Sequence, residues 1–299
     1  MQQSFFEKRN IRNTVTAILF LLPNTIGFLI FTSIPVAASL VISFFNWPVL
    51  GEIKFVGLRN FQRLLLEDST FRQVLFNTIY YTFAYVVINI IVAMSLALWL
   101  TSKRAIFKGM FKAVFFIPVV TPIVATAMIW RWLYLPDYGL INQFLSIFKI
   151  SSINWLASPQ WAMPAVIIMS VWQGFGYNLI IFIAGIEGIP KTLLEASIID
   201  GAGGWKRFWK IVLPMLSPSL FFATVMTIIS SFQVFDQTFV LPGGGPYNAT
   251  STLVLYIYNN AFAFYKMGYA SAIAWILFAI VFLTTLVQMK FQKEWVHYE

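Results

Sequence analysis

Residue types that support acid–base or metal chemistry are scarce in this 299-residue chain. Cysteine is absent and His297 is the single histidine, so the ligands of a conventional zinc site are missing. The stretches "GGGPYNAT" and "GAGGWKRF" are rich in glycine, but both lack the lysine followed by serine or threonine of a phosphate-binding loop. We therefore expect no metal or cofactor on this chain and no ATP hydrolysis by the usual route.

A membrane enzyme would have to work with little more than three acids, Glu195, Asp200 and Asp236. No Ser/His/Asp set or paired carboxylates accompany them, which disfavours a membrane enzyme. A stand-alone secondary transporter would usually show inverted repeats or several ionisable groups at membrane depth, and Asp236 is the only acid near such a depth. The chemistry of this chain is therefore expected to be binding and movement.

The composition identifies lipid as the main solvent of the chain. Hydrophobic residues make up 59% of it and charged residues 10%, whereas about 25% charged residues are usual in soluble domains. Six apolar runs are long enough to cross roughly 30 Å of hydrocarbon. Lipid offers no partner to backbone polar groups, so each run is predicted to be helical and the fold to be all-α, polytopic and six-spanning. The runs are at about 14–45, 73–101, 113–134, 161–185, 215–239 and 268–289.

Lysine and arginine are concentrated in alternate connecting segments, which predicts cytoplasmic N- and C-termini. The bases on that side are Lys8, Arg9, Arg12, Lys103, Arg104, Lys108, Lys112, Lys191, Lys206, Arg207, Lys210, Lys290 and Lys293. The bias is moderate, because the first outer loop also carries Lys54, Arg59, Arg63 and Arg72. The net charge of +9 is thus attributed to the basic residues that orient the chain in the membrane, and nucleic-acid binding is not expected.

The predicted organisation is a cytoplasmic segment 1–13, a transmembrane domain 14–290 and a cytoplasmic tail 291–299. The first apolar run follows bases as a signal peptide does, but it is too long and has no convincing cleavage site, so we expect an uncleaved span. In the first outer loop, "GLRNFQRLLLEDSTFRQVLFNT" places apolar residues, Phe71 among them, between charges. This pattern suits an amphipathic helix at the outer membrane surface, and the simpler interpretation, which we favour, is a solvated loop helix.

Residues 187–214 form the polar connection between the fourth and fifth runs. Pro190 suits the start of a helix, "KTLLEASIID", which glycines end, and a second short helix, "WKRFWKIV", is stopped by Pro214. Ten helical residues reach about 15 Å, so neither helix crosses the membrane. We expect a cytoplasmic helix-turn-helix in which Asp200 caps the second helix and Ile198, Phe208 and Ile211 face a partner.

This connection resembles the E-A-A…D-G-A…F…I-x-L-P signature of the inner-membrane permease subunits of ABC importers. The one departure is Ser197 in place of the second alanine, a change between small residues. In that family the loop docks in a groove of the ATPase subunit, so the resemblance implies an ATPase-coupling role for this segment. The residues expected to carry that role are Glu195, Ala196, Ser197, Ile198, Asp200, Gly201, Ala202, Phe208, Ile211, Leu213 and Pro214.

Further segments resemble the carbohydrate-uptake permeases of the maltose, glycerol-3-phosphate and multiple-sugar type. These are "AGIEGIPKTLLEAS", "FVLPGGGPYNATSTLVLYIYNNAF" and "MGYASAIAW". The resemblance implies a bacterial or archaeal cytoplasmic membrane, a second and different six-span permease, two subunits that bind ATP and Mg, and an extracytoplasmic solute-binding protein. A sugar or oligosaccharide is the expected solute, imported by alternating access; a polyol phosphate or an amino acid is the alternative.

Two polar stripes at helical spacing are the candidate solute pathway. Ser170, Gln173, Gly174 and Tyr177 follow one face of the fourth run, and Thr224, Thr227 and Ser231 follow one face of the fifth. A sugar at membrane depth needs hydrogen-bonding groups and aromatic faces around a water-filled cavity. The alternative is that such small and hydroxyl-bearing residues pack helix against helix.

Overall fold

The computed structural model describes residues 2–49, 51–102 and 105–295, with side chains described for 14–49, 51–102 and 105–292. Lys103, Arg104, His297 and the end of the predicted tail lie outside the described residues. The described chain is mostly helical and contains one two-stranded antiparallel hairpin.

The element bounds are as follows. The helices are α1 (Gln2–Phe28), α2 (Ile34–Ser43), α3 (Arg59–Gln62), α4 (Ser69–Thr101), α5 (Lys108–Val120), α6 (Ile123–Leu133), α7 (Leu140–Ile147), α8 (Pro159–Glu187), α9 (Lys191–Ile199), α10 (Gly204–Arg207), α11 (Leu213–Met215), α12 (Ser217–Phe232), α13 (Asp236–Val240), α14 (Leu253–Tyr258) and α15 (Met267–Trp295). The π-helical turns are Leu29–Ser33, Arg63–Glu67, Phe208–Val212 and Asn259–Ala263, and the strands are β1 (Phe45–Asn46) and β2 (Lys54–Phe55).

Five helical segments are long and apolar enough to cross a membrane, with mean hydropathy between 1.5 and 2.4. They are Thr14–Ser43, Ser69–Thr101, Pro159–Glu187, Ser217–Val240 and Met267–Gln292. They match five of the six predicted runs, and the all-α polytopic fold is confirmed.

The third predicted run is a broken pair of helices instead of one rod. The axes of α5 and α6 differ by 98° across Thr121 and Pro122. Proline has no amide hydrogen and its ring disfavours helical backbone in the residue before it. Thr121 accordingly adopts extended backbone, with φ −76° and ψ 133°. The pair supplies the sixth crossing only if both helices count as one span.

The interior of the bundle is centred on α4 and α8. The most apolar part of α8 is 61% buried within this chain, whereas that of the first span is not buried at all. Small residues permit the closest helix approaches. At Gly176 of α8, an added Cβ would lie 2.4 Å from the carbonyl oxygen of Phe115 in α5. The first span instead lies against α15, where Trp275 Nε1 donates a hydrogen bond to Ser39 Oγ at 3.1 Å.

The predicted first outer loop does not form one amphipathic helix. It folds as the β1–β2 hairpin, then α3 with its π-helical turn, and the helix ends before Asp68. Asp68 has extended backbone and its carboxylate accepts the Phe71 amide hydrogen at 2.9 Å, which starts a new helix, α4. Phe71 was expected on the outer helix and is instead buried in the first turn of α4.

Asp68 joins the start of α4 to two helices, α14 and α15, that lie near the other end of the chain. Tyr256 Oη donates to Asp68 Oδ2 at 2.7 Å, and Tyr269 Oη donates to the same oxygen. Burial raises the pKa of Asp68, but the hydrogen bonds from Tyr269, the Phe71 amide and Tyr256 outweigh it and hold this pKa below its ordinary value of 3.8. The charged carboxylate therefore stabilises the contact between α4, α14 and α15.

Asp68→Asn should lower the free energy of unfolding by about 1–2 kcal/mol near neutral pH, because an amide accepts the two tyrosine hydroxyls less well than a carboxylate. A lowered folded-state pKa means that this contribution is present above 3.8 and is lost as the pH falls through the folded value. Thermal unfolding in detergent should show a Tm difference from wild type that is largest near neutral pH and shrinks in acid. The control is Glu67→Gln, at an exposed acid without an ion pair in the described chain; an equal loss in both variants would contradict the assignment.

Candidate functional site

Helix α9 ends in a Schellman motif built by the Asp200-Gly201-Ala202 triplet. Gly201 has φ +72°, and its amide donates to the Ile198 carbonyl at 3.0 Å. The Ala202 amide donates to the Ser197 carbonyl at 2.9 Å, which completes the pair of bonds that defines the motif. A side chain at position 201 would strain this backbone, so the glycine fixes the turn of the predicted helix-turn-helix.

The predicted capping role of Asp200 is wrong. Helix α10 begins at Gly204 and its N-cap is Gly203, which has no side chain to cap it. Asp200 instead lies at the C-terminal end of α9, where its own amide donates to the Ala196 carbonyl at 2.9 Å. The Schellman turn places two further residues between Asp200 and the N-cap of the next helix.

One side of the 187–214 loop is fixed to the transmembrane helices. Ile189, Val212 and Leu216 are buried in a cluster with the C-terminal turns of α4 and α8. Leu194 of α9 and Phe208 pack against the same cluster. Phe208 was expected to face a partner, but it points toward the bundle because the π-helical turn Phe208–Val212 leads directly into α11 and α12.

The opposite side of the loop is an exposed surface of one acid and several apolar side chains. Ile198 is 59% exposed and Ile199 86%. Glu195 is exposed and forms no ion pair with any described residue. Trp205 and Trp209 extend this surface, with ring centres 5.7 Å apart. We call Glu195, Ile198, Ile199, Trp205 and Trp209 the knob.

Sequence reasoning missed the two tryptophans of the knob. Their spacing of i and i+4 places both rings on one side of a helix, which is the available signal. Of the three apolar residues expected to face a partner, only Ile198 is clearly exposed, and Ile211 is half-buried. The surface suits mechanical contact with another protein, because it offers apolar area and one free carboxylate on a backbone fixed from behind.

The first polar stripe divides between two surfaces of α8. Ser170 Oγ donates to the Val166 carbonyl at 2.8 Å and is buried. Gln173 is also buried, and its Nε2 donates to the Thr121 carbonyl at 3.2 Å, at the break between α5 and α6. Gly174 lies against Tyr85, whose Oη would be 2.2 Å from an added Cβ. Tyr177 alone is open, at 50% exposure.

The second stripe joins three helices through an interior hydrogen-bond network. Asn178 Nδ2 of α8 donates to Thr227 Oγ1 of α12 at 2.9 Å and to Asn89 Oδ1 of α4 at 2.7 Å. Ser231 is buried and its hydroxyl donates a hydrogen bond to the Ile228 carbonyl, whereas Thr224 is half-buried. Within this chain, most of the stripe therefore packs helix against helix.

Asn89 and Asn178 were not among the predicted site residues. An amide in an apolar span is costly unless it finds a partner, so two asparagines within predicted spans were the available signal. Asn89 Nδ2, Asn178 Oδ1 and Gln173 Oε1 have no hydrogen-bond partner within the described chain. These buried polar atoms lie next to the stripes and could bind hydroxyl groups when the helices separate.

Comparison with known proteins gives one concordant result. A family model described as "Binding-protein-dependent transport system inner membrane component" matches residues 90–295. The probable ABC transporter permease protein YesP of Bacillus subtilis is 38% identical, over 98% of this chain and 96% of the relative. The arabinooligosaccharides transport system permease protein AraP of the same organism is 34% identical, over 91% of this chain and 87% of the relative.

One solved structure has a similar fold over most of its length. It is a bacterial alginate ABC transporter in complex with an alginate pentasaccharide-bound periplasmic protein, and one of its chains superposes with a TM-score of 0.83. The identity is 22%, over 96% of both chains, so the likeness is one of fold.

Gly201→Ala should loosen the end of α9, because a left-handed backbone costs a residue with a Cβ about 1 kcal/mol. Deuterium exchange of the 195–205 amides, followed by mass spectrometry, should accelerate about fivefold. Gly204→Ala is the matched control: a Cβ meets open space at both positions, but Gly204 lies within a helix. Equal acceleration in the two variants would count against the Schellman assignment.

Proposed function

The chain belongs to the family of inner membrane components of binding-protein-dependent transport systems, and we propose that it is the permease subunit of a sugar or oligosaccharide importer. It is a transport subunit of an ATP-binding-cassette system, in which a separate chain hydrolyses ATP. The observation that supports coupling is the knob, an exposed surface whose rear side is buried against the ends of α4 and α8.

The loop is placed to convert a push into helix movement. Helix α8 ends at Glu187, just before the loop, and α12 begins at Ser217, just after it. Lys112 Nζ and Glu187 Oε1 form an ion pair at 3.2 Å that joins the start of α5 to the end of α8. When the ATPases close on ATP, the knobs of the two permeases would approach each other and the cavity would open outward. Hydrolysis would then return it to the inward-facing state.

A neutral polyhydroxyl solute fits the charges of the proposed pathway. Neither α8 nor α12 contains a lysine or an arginine. Apart from Glu187 at the last position of α8 and two tryptophan indoles, their polar side chains carry amides and hydroxyls. A phosphate at membrane depth would need cations to offset its charge, which disfavours the polyol phosphate alternative. AraP is named for arabinooligosaccharide transport, and its name supports a saccharide.

The proposed assembly contains a second, different six-span permease and two ATP-binding subunits that hold ATP and Mg. An extracytoplasmic solute-binding protein delivers the sugar. The chain lies in the cytoplasmic membrane of a bacterium or an archaeon, with segment 1–13 and tail 291–299 in the cytoplasm. This orientation follows from the distribution of lysine and arginine and places the knob on the cytoplasmic side.

Glu195→Ala should leave the chain folded and inserted but weaken ATPase attachment and uptake by about tenfold, because a charge-assisted contact at an interface contributes about 1.5–3 kcal/mol. Co-purification of the ATP-binding subunit and sugar uptake in vesicles measure the two effects. Glu195→Asp should restore part of both. Asp137→Ala removes an exposed acid elsewhere and serves as the control; normal uptake by Glu195→Ala would refute the coupling role.

Tyr177→Ala should raise the KM for sugar uptake severalfold without loss of assembly, because it removes an exposed aromatic face from the pathway. Tyr177→Phe retains the ring, so its difference from Tyr177→Ala separates stacking from hydrogen bonding. Tyr138, an exposed tyrosine of the loop after α6, provides the control variant Tyr138→Ala. Unchanged kinetics in Tyr177→Ala would remove this residue from the pathway.

A further inference from the structure

A polar cavity of about 370 Å³ lies at the end of the bundle opposite the knob. The 33 residues of α4 separate the two: Asp68 at its start lines the cavity, and its last turns pack against the 187–214 loop. At 1.5 Å per residue this separation is about 50 Å, enough to cross the membrane. The cavity is lined by Arg63, Glu67, Asp68, Ser69, Thr70, Tyr256, Asn260, Phe264, Lys266 and Tyr269. We call it the outer socket.

Two bases in the outer socket have no acidic partner among the described residues. The guanidinium carbon of Arg63 lies 5.2 Å from the centre of the Tyr269 ring, and Lys266 Nζ lies 5.8 Å from the centre of the Phe264 ring. Asp68 is occupied by two tyrosine hydroxyls and the Phe71 amide. Glu67 is then the only lining acid without such bonds. The formal charges of the two acids and two bases cancel, but the bases form no ion pair with a described residue, whereas Asp68 already accepts three hydrogen bonds.

Lysine and arginine residues surround the outer socket, although the positive-inside rule predicts few of them on the outer side of the membrane. Arg59 and Arg63 are four positions apart, at i and i+4, so they lie near each other on the short outer helix, and both are exposed. Lys54, by contrast, is paired with Glu52 at 3.0 Å. Bases on the outer side work against the proposed orientation. An anionic partner at that surface would give them a role that membrane insertion does not.

Two of the aromatic rings that line the outer socket, Tyr269 and Phe264, each have a cation over one face. Saccharide sites commonly combine a free aromatic face with unoccupied planar polar groups, but Arg63 covers Tyr269, Lys266 lies over Phe264, and Asp68 is already bonded. The socket therefore suits a carboxylate held by two cations better than a neutral sugar ring. A volume of about 370 Å³ has room for protruding side chains of another protein.

We propose that the outer socket receives an acidic side chain on the surface of the solute-binding protein, with Arg63 and Lys266 as its binding residues. This inference rests on the proposed function. The walls of the socket come from the outer helix, α4, α14 and α15, so docking would act directly on two spanning helices. One of them, α4, contacts the 187–214 loop at its other end.

The test uses the complete transporter in lipid nanodiscs and the solute-binding protein recovered with the native complex by affinity purification. The ATPase rate is measured against binding-protein concentration at several salt concentrations. In R63E/K266E, half-maximal stimulation should require at least about tenfold more binding protein, with a similar maximal rate and a flatter salt dependence. R63Q/K266Q removes the cations without adding acids and should shift the curve in the same direction by less.

K54E/K149E is the matched control, because it reverses two exposed bases outside the outer socket and changes the net charge equally. A wild-type stimulation curve in folded R63E/K266E, or an equal shift in K54E/K149E, would overturn the docking role of the outer socket but not the proposed function. The transporter without its binding protein is also tested for sugar binding. If it binds sugar and R63Q/K266Q abolishes that binding, the outer socket is a saccharide site and the docking proposal is overturned. A wild-type complex that no binding protein stimulates would refute the proposed function as well.

Discussion

The bilayer interior has no water to accept or donate hydrogen bonds, and this absence governs both the regular and the irregular parts of the chain. Long helices satisfy their own backbone groups over most of the described spans. At the break between α5 and α6 the helical ladder is interrupted, and the freed Thr121 carbonyl accepts a hydrogen bond from Gln173 Nε2 of α8. The kink is therefore supported by a neighbouring helix, which ties the broken span to the centre of the bundle.

The same constraint explains how polar residues are used inside the bundle. Asn178 of α8 donates hydrogen bonds to Asn89 of α4 and Thr227 of α12, which links the three helices, while Asn89 Nδ2 and Asn178 Oδ1 have no partner within the described chain. These helices either flank the 187–214 loop or pack against it. A push on the loop would have to move the network as a unit or rearrange its hydrogen bonds. Polar groups that hold helices together in one state could thus face the pathway in another, so packing and solute contact need not exclude each other.

The two ends of the bundle are organised by different forces. At the proposed cytoplasmic end, burial of Ile189, Val212 and Leu216 holds the loop and leaves the knob outside. At the proposed outer end, the ionised Asp68 carboxylate joins α4, α14 and α15 through hydrogen bonds. Helix α4 runs between the two. A rigid helix fixed at both ends is a direct mechanical link between an outer docking event and an inner coupling surface.

Local pattern in the sequence was enough to identify the membrane class, most of the spanning helices and the 187–214 loop. Apolar length, glycine and proline act within one turn or one span, so their effects can be recognised without knowing the fold. The pattern did not indicate that Phe208 turns inward or that the Asp200 side chain does not cap α10. It also did not indicate that Asp68 meets Tyr256 and Tyr269, which are 188 and 201 residues further along the chain. Such contacts depend on how the helices are rotated and placed against one another. The packing of the whole bundle sets this arrangement, and the spacing of residues within one segment does not predict it.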